Sequence, residues 1–153
     1  MKMKFVNIAI VLFVSLFLAG CPNDDDNNND DTSDPQEVTL IVQSGTWRIT
    51  YFYDSDQDET GNFSGYSFSF NDDGTLVAVN SNTTVSGTWS VTNSSSSSSS
   101  SGPDFNIFFN VGPDDDFEDL NDDWDIISAT TNKIELIDIS GGNGGTDYLT
   151  FER

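Results

Sequence analysis

The sequence predicts an all-β fold: a small antiparallel up-and-down meander of about eight strands that closes into a barrel. Large apolar residues alternate with polar ones, as where serines separate Tyr66, Phe68 and Phe70, and this is the pattern of half-buried antiparallel strands. Turn-forming residues separate such segments, as at Asn71-Asp72-Asp73-Gly74, which predicts a hairpin. No segment of about ten or more residues shows a clean helical period.

The alternation also gives the strand positions. We predict strands at about 45–53, 64–71, 75–81, 85–92, 104–111, 123–130, 133–140 and 146–152. Short gaps mean that sequential strands pair. Closure of the meander then removes the unpaired edges that invite aggregation. Between strands, Pro113 to Leu120 is predicted to form a short helical turn, and the serine run Ser94 to Ser101 a flexible surface loop.

The strand faces predict which side chains fill the barrel. We expect the following to point mostly inward: Trp47, Ile49, Tyr51, Tyr66, Phe68, Phe70, Trp89, Phe105, Ile107, Phe109, Trp124, Ile126, Leu136 and Phe151. An aromatic side chain buries roughly 150–250 Å², and an eight-stranded barrel is only just wide enough for side chains or one small ligand. The sequence therefore predicts a largely packed core. Any pocket should be shallow, at the mouth, beside the loops at 54–61 and 94–103.

The N-terminal segment, residues 1–20, predicts a secretory signal peptide. Lys2 and Lys4 precede an apolar run of about fourteen residues, which is shorter than the roughly 20 that a membrane-spanning helix needs. The run ends in Leu18-Ala19-Gly20-Cys21, which resembles the bacterial lipobox. That resemblance implies cleavage before Cys21 and acylation of its thiol. The alternative is a buried cysteine that happens to follow a signal sequence.

Charge limits the partners. Without residues 1–20 the chain keeps three basic residues against 26 acids, a net charge of −23. Nucleic acid and anionic lipid surfaces are therefore excluded as charge-driven partners. Residues 21–37 have almost nothing to bury and predict a disordered acidic tether. Its acids resemble the surface-export signal of Bacteroidota lipoproteins, which implies a cell-surface outer-membrane lipoprotein; the alternative is an ordinary solvated linker.

The remaining residues, 38–153, predict one β domain. Gly45-Thr46-Trp47 resembles the Gly-x-Trp signature of lipocalins, and Ser44–Trp47 is repeated in the letters of Ser86–Trp89. The letters GYSFSFNDDGT (65–75), WDII (124–127) and LTFER (149–153) are similar to lipocalin-like domains of Bacteroidota lipoproteins. This resemblance covers most of residues 44–153 and implies binding of a small apolar ligand. It also implies that Arg153 packs over Trp47.

One acidic loop is a candidate calcium site. Asp54, Asp56, Asp58 and Glu59 place carboxylates mainly at alternate positions, as calcium loops do. The sixth position is Glu59 instead of glycine and the twelfth is Gly65 instead of glutamate, so the loop departs from the EF-hand pattern. We expect weak calcium binding, no tighter than roughly 10⁻⁴ to 10⁻³ M. The alternative is a solvated hairpin tip, and no other cofactor is predicted.

Two functions remain open from the sequence. In one, the barrel is a filled, non-catalytic interaction scaffold whose loops meet another envelope component. In the other, it carries a small apolar ligand. The chain contains no histidine, so a serine nucleophile has no histidine base and a transition-metal site is disfavoured. No acid pair is singled out for sugar hydrolysis, and we do not expect an enzyme.

Overall fold

The structure, a computed structural model, describes residues 34–93, 102–139 and 145–153. The signal peptide, Cys21, most of the predicted tether and the serine run lie outside these residues. The strands are β1 (Thr46–Asp54), β2 (Gln57–Asp58), β3 (Ser67–Phe70), β4 (Thr75–Val79), β5 (Thr84–Asn93), β6 (Pro103–Phe109), β7 (Asp122–Ala129), β8 (Lys133–Asp138) and β9 (Asp147–Glu152). All eight predicted strands are present, and the two-residue β2 is an addition.

The strands form a closed antiparallel barrel. Apart from β2, each strand pairs with the next along the chain, and β9 returns to pair with β1. The all-β fold class and the eight-stranded meander are therefore confirmed, and the barrel fits the lipocalin-like shape that the resemblance implied. β2 pairs with the C-terminal end of β1, to which a two-residue turn connects it. Both turn residues, Ser55 and Asp56, have positive φ, as the tightest hairpins require.

A β-bulge makes one predicted core position wrong. The pairing of β1 with β9 shifts register between Ile49 and Tyr51, and an extra residue reverses the faces of the strand beyond it. Phe52 is therefore buried and Tyr51 is 41% exposed. A second bulge, between Ile126 and Ser128 of β7, leaves Ile126 half-buried. Tyr66 is half-buried just before β3, and the other predicted inward residues are buried.

A helix that the sequence analysis did not predict precedes β1. Helix α1 (Pro35–Gln43) begins with Asp34, whose carboxylate accepts the Gln36 N–H, and has a proline in its first turn, both of which favour helix starts. Its residues 35–37 were assigned to the tether, and that assignment is wrong for those three. The helix spans nine residues, and its fully buried Val38 and Val42 are one turn apart. A helix of this length is too short for its apolar residues to show a clear helical period in the sequence.

Strand directions place the loops at the two ends of the barrel. Helix α1, the β3–β4 turn, the end of β5 and the C-terminus lie at one end, here called the floor. The β1–β2 turn and two short 3-10 helices, Thr60–Phe63 and Glu118–Leu120, lie at the other, the mouth. The second 3-10 helix ends the predicted turn at 113–120. The strand ends that border the 94–103 segment, Asn93 and Pro103, lie at the floor, whereas loop 54–61 lies at the mouth, so our expectation that both border one pocket at the mouth is wrong.

Candidate functional site

The barrel interior is packed with aromatic rings. Phe70 contacts Trp89, Phe105 and Phe151 with ring centroids 5.3–5.5 Å apart, and Phe151 contacts Phe68 at 5.5 Å. These contacts are edge-to-face, the arrangement that the ring quadrupoles favour. Each of these rings is at most 6% exposed. Among the described residues, the prediction of a largely packed core is therefore confirmed.

The floor is covered by α1. The helix contacts β3, β5 and β7, which lie on different sides of the barrel, so it crosses the open end. The indole N–H of Trp47 donates to the Val42 carbonyl at 2.8 Å, and the indole of Trp89 donates to the Asn71 carbonyl at 3.0 Å. Both tryptophans of the repeated tetrapeptide are thus buried with their polar atom satisfied.

Arg153 lies over Trp47, as the lipocalin resemblance implies. Its guanidinium carbon is 4.5 Å from the centroid of the indole, within the range of a cation–π contact. The guanidinium also donates to the carbonyl and hydroxyl oxygens of Ser44, each at 2.9 Å, and to the Thr131 carbonyl. A Cβ on Gly45 would overlap this guanidinium. Gly45 and Arg153 therefore form one structural unit that ties the C-terminus to the floor.

The mouth is closed by side chains of the 3-10 segments. Phe117 contacts Phe109 at 4.9 Å, Tyr66 at 5.1 Å and Phe63 at 5.4 Å between ring centroids. Phe63 and Leu120 are at most 1% exposed. An apolar ligand entering from this end would have to displace Phe117 and its neighbours.

Three clefts formed by the described residues are shallow and lie on the outside of the barrel. One of about 270 Å³ lies at the mouth beside Tyr66 and Asp114–Phe117. Another, of about 360 Å³, follows the outer faces of β5 and β6 beside Phe108. A third, of about 210 Å³, lies between α1 and the β3–β4 turn. Only the first is at the mouth, where the sequence analysis expected a pocket.

Part of the predicted calcium loop meets a carboxylate from a distant segment. Asp54, Glu59 and Asp119 each bring an oxygen within 4.8 Å of the other two. Asp56 and Asp58 are not in this group: Asp56 is exposed at the turn, and Asp58 accepts the Thr60 N–H at 3.1 Å. The structure therefore places two of the four predicted residues together and adds Asp119.

Mutual repulsion and burial change the titration of this acidic cluster. Partial desolvation beside the mouth, followed by the charges of Glu59 and Asp54, raises the pKa of Asp119 to about 6 although its side chain keeps contact with solvent. Burial and the charges of Asp54 and Asp116 also raise the pKa of Glu59. Because the raised pKa values mean that ionisation disfavours the folded state, the cluster costs stability at neutral pH.

We expect Asp119→Asn to flatten the dependence of stability on pH. In the wild type the pKa of Asp119 is about 6 in the folded state against 3.8 normally, so the folded state binds this proton more tightly than the unfolded state does. The stabilising contribution is full below about pH 4 and is lost as the pH rises through about 6. Since Asp119 is exposed, we expect a gain of at most about 1 kcal/mol for the variant at pH 8, or about 4 °C in Tm.

Thermal melts of wild type and variant between pH 4 and pH 8 measure this effect. Asp72→Asn, at the floor, removes the same charge away from the cluster and is the control. An equal change in both variants at pH 8 would assign the effect to net charge alone.

Calcium binding at this loop stays a prediction. A divalent cation would relieve the repulsion between Asp54, Glu59 and Asp119, but the loop has no closing bidentate glutamate at position 65. We still expect a Kd for calcium of about 10⁻⁴ to 10⁻³ M, which calorimetry measures. Asp119→Asn should bind calcium more weakly, with a larger Kd. Micromolar binding would contradict this estimate.

Three tyrosines form a patch on the outside of the barrel. Tyr51 and Tyr53 of β1 have ring planes 13° apart and centroids 6.3 Å apart, and Tyr148 of β9 is 6.5 Å from Tyr51. Tyr51 is 41% and Tyr148 36% exposed. We call these residues the tyrosine face. The sequence analysis missed it because the β-bulge, which turns Tyr51 outward, has no signal in a period-two pattern.

Acids flank the tyrosine face. Directly paired residues share a face of the sheet, and the outward row across β2, β1, β9, β8 and β7 reads Asp58, Tyr53, Tyr148, Ile137, Asp125. The two tyrosines lie near the mouth, and the carboxylates of Asp58 and Asp125 flank them on the β2 and β7 sides.

Comparison with known proteins gives a structural neighbour and no family. A crystal structure of a DUF4847 family protein from Bacteroides vulgatus ATCC 8482 is similar at 21% identity and a TM-score of 0.46, over 75% of this chain and 96% of that one. No protein-family model matches the chain, and no curated protein matches it significantly. Among the described residues, no helix is long and apolar enough to cross a membrane. What the barrel binds must be inferred from its own side chains.

Proposed function

We propose that this chain is a lipid-anchored, non-catalytic interaction scaffold of the cell envelope, held at the outer membrane through Cys21 and exposed at the cell surface. The packed interior supports this proposal most directly. The contacting rings of Trp89, Phe70, Phe151 and Phe68 are packed inside the barrel. Helix α1 covers the floor, and the 3-10 segments cover the mouth. A partner would therefore bind to the outer surface, whereas a carrier needs an open cavity.

The anchor rests on the sequence. A lipid-modified cysteine with three acyl chains would hold the chain permanently, since each buried methylene contributes about 0.8 kcal/mol. The described domain begins at Asp34, at the floor. A tether from Cys21 would then enter at the floor and leave the mouth and the upper outer surface facing away from the membrane.

The carrier function is the alternative, and one titration decides between them. Residues 21–153 with Cys21→Ser are titrated with an environment-sensitive fatty-acid probe. For a packed interior we expect no saturable binding at micromolar concentrations. Saturable one-to-one binding that unlabelled lipid competes and that quenches tryptophan emission would establish a carrier.

The anchor has its own test. Cys21→Ser should abolish incorporation of labelled fatty acid and release the protein from the membrane pellet. Asn23→Ser, two residues further on, introduces the same side chain and should label like wild type. If the Cys21→Ser variant still labels and pellets, the anchor assignment is wrong.

A further inference from the structure

We infer that the tyrosine face binds an arginine-bearing segment of a basic protein partner. This inference rests on the proposed function as a scaffold and names the surface and the chemistry of its partner. It combines two observations: a patch of tyrosine rings of which two are exposed, and carboxylates on both sides of the patch in the same row.

The rings offer a surface for a flat cation. Tyr51 lies 6.3 Å from Tyr53 and 6.5 Å from Tyr148 between centroids. A cation attracted to an aromatic face lies within about 6 Å of the ring centroid, so one cation can contact two of these rings at once. A guanidinium is planar and weakly hydrated and stacks on aromatic faces, whereas the ammonium of lysine is compact and strongly hydrated. The geometry therefore favours arginine.

The surrounding charge selects a basic partner. Asp58 pairs with Tyr53 across the β1–β2 ladder, and Asp125 of β7 lies opposite Ile137, the neighbour of Tyr148 in the same row. Carboxylates of this kind can accept the paired N–H groups of a guanidinium. The potential from a chain of net charge −21 also attracts cations. The same charge disfavours a second copy of this chain and an anionic lipid surface as occupants.

The chain's own basic residues in the described barrel lie away from this row. Lys133 pairs with Glu135 at 2.5 Å, and Arg48 lies opposite Glu152. Both belong to a row at the floor, about five residues or roughly 15 Å along the strands from Tyr53. Arg153 is held over Trp47. The acids beside the tyrosine face therefore have no basic neighbour in their own row.

The test uses a defined peptide and the full chain in non-ionic detergent. The probe is a fluorescent Gly-Ser peptide with three arginines, compared with its lysine and citrulline counterparts by anisotropy at about 0.05 M salt, where charge attraction is little screened. We expect saturable binding of the arginine peptide, several-fold weaker binding of the lysine peptide and none of the uncharged citrulline peptide.

Matched variants locate the binding surface. Tyr51→Thr combined with Tyr148→Thr removes two rings and keeps strand-forming residues, and should weaken arginine-peptide binding about tenfold. Tyr51→Phe keeps the ring and should bind within about twofold of wild type. Phe108→Thr removes a ring that is 54% exposed on β6, outside the row, and should also stay within about twofold. Thermal melts establish that each variant is folded.

Four outcomes would overturn the inference. Equal binding of arginine and lysine peptides, or equal losses in the Phe108 and double-tyrosine variants, would show diffuse charge attraction only. Failure of the arginine peptide to bind would show that the tyrosine face does not recognise arginine. Binding of a neutral glucan that depends on the tyrosines, without arginine binding, would make the face a sugar platform. None of these results bears on the fatty-acid titration or membrane pelleting, so the scaffold proposal can fail or stand separately.

Discussion

Gly87→Ala should lower the free energy of unfolding by about 3 kcal/mol, or roughly 10–15 °C in Tm. Gly87 lies inside β5, opposite Phe109 of β6. A Cβ at this position would overlap the carbonyl oxygen of Phe108 and lie 2.7 Å from Cδ1 of Phe109. The first obstacle is backbone and the second is a ring packed in the core, so relief requires β5 and β6 to separate. Chemical denaturation of wild type and variant measures the loss.

The repeated tetrapeptide supplies the comparison. In Gly45→Ala the new Cβ would meet the end of the Arg153 side chain, which can move away at the cost of its contact with Trp47 and its exposed hydrogen bonds to Ser44 and Thr131, together about 1–2 kcal/mol. Gly112 has nothing within 4 Å of the position of a Cβ, so Gly112→Ala should be near neutral. If Gly87→Ala and Gly45→Ala cost the same, the crowding between β5 and β6 would not be the cause.

Gly45 and Gly87 show which features of the fold can be predicted from the sequence and which cannot. The letters Ser-Gly-Thr-Trp predict a buried tryptophan at each site, and both Trp47 and Trp89 are buried. The reason for each glycine depends on a segment far away in the chain: Arg153 at one site, the β6 backbone at the other. The sequence pattern predicts the strands because the alternation of apolar and polar residues depends only on neighbouring positions in the chain. It cannot predict which distant atoms crowd a backbone.

The same limit explains the errors at the candidate sites. A β-bulge adds one residue without interrupting the alternation of letters, so Tyr51 was placed inside the barrel and the tyrosine face was missed. Asp119 joins Asp54 and Glu59 only because the β6–β7 connection folds over the mouth. Since each acid is a surface-type residue by composition, only the fold distinguishes the clustered ones from the rest.

Phe117→Ala should cost about 3–5 kcal/mol, the usual loss for removing a buried phenyl ring. Phe117 is 5% exposed although it lies outside the strands, and its ring contacts Phe109 and Phe63 from different segments of the mouth. Its removal leaves a space lined by rings that cannot all move inward, because the core below them is filled. A total stability above about 7 kcal/mol, inside the range of about 5–15 kcal/mol for natural domains, would leave most of the variant folded.

The measurement pairs chemical denaturation with a ligand. Phe108→Ala removes the same ring from an exposed site and should cost far less, because little apolar area is buried there. If the space left by Phe117 stays apolar, benzene at saturation should raise the Tm of Phe117→Ala and leave wild type unchanged, because a ligand that binds only the folded state stabilises it. A loss below about 1 kcal/mol would contradict a closed mouth, since only a loosely packed ring can be removed so cheaply. Benzene stabilisation of wild type would show that a cavity already exists, and the carrier would then be the better account of this barrel.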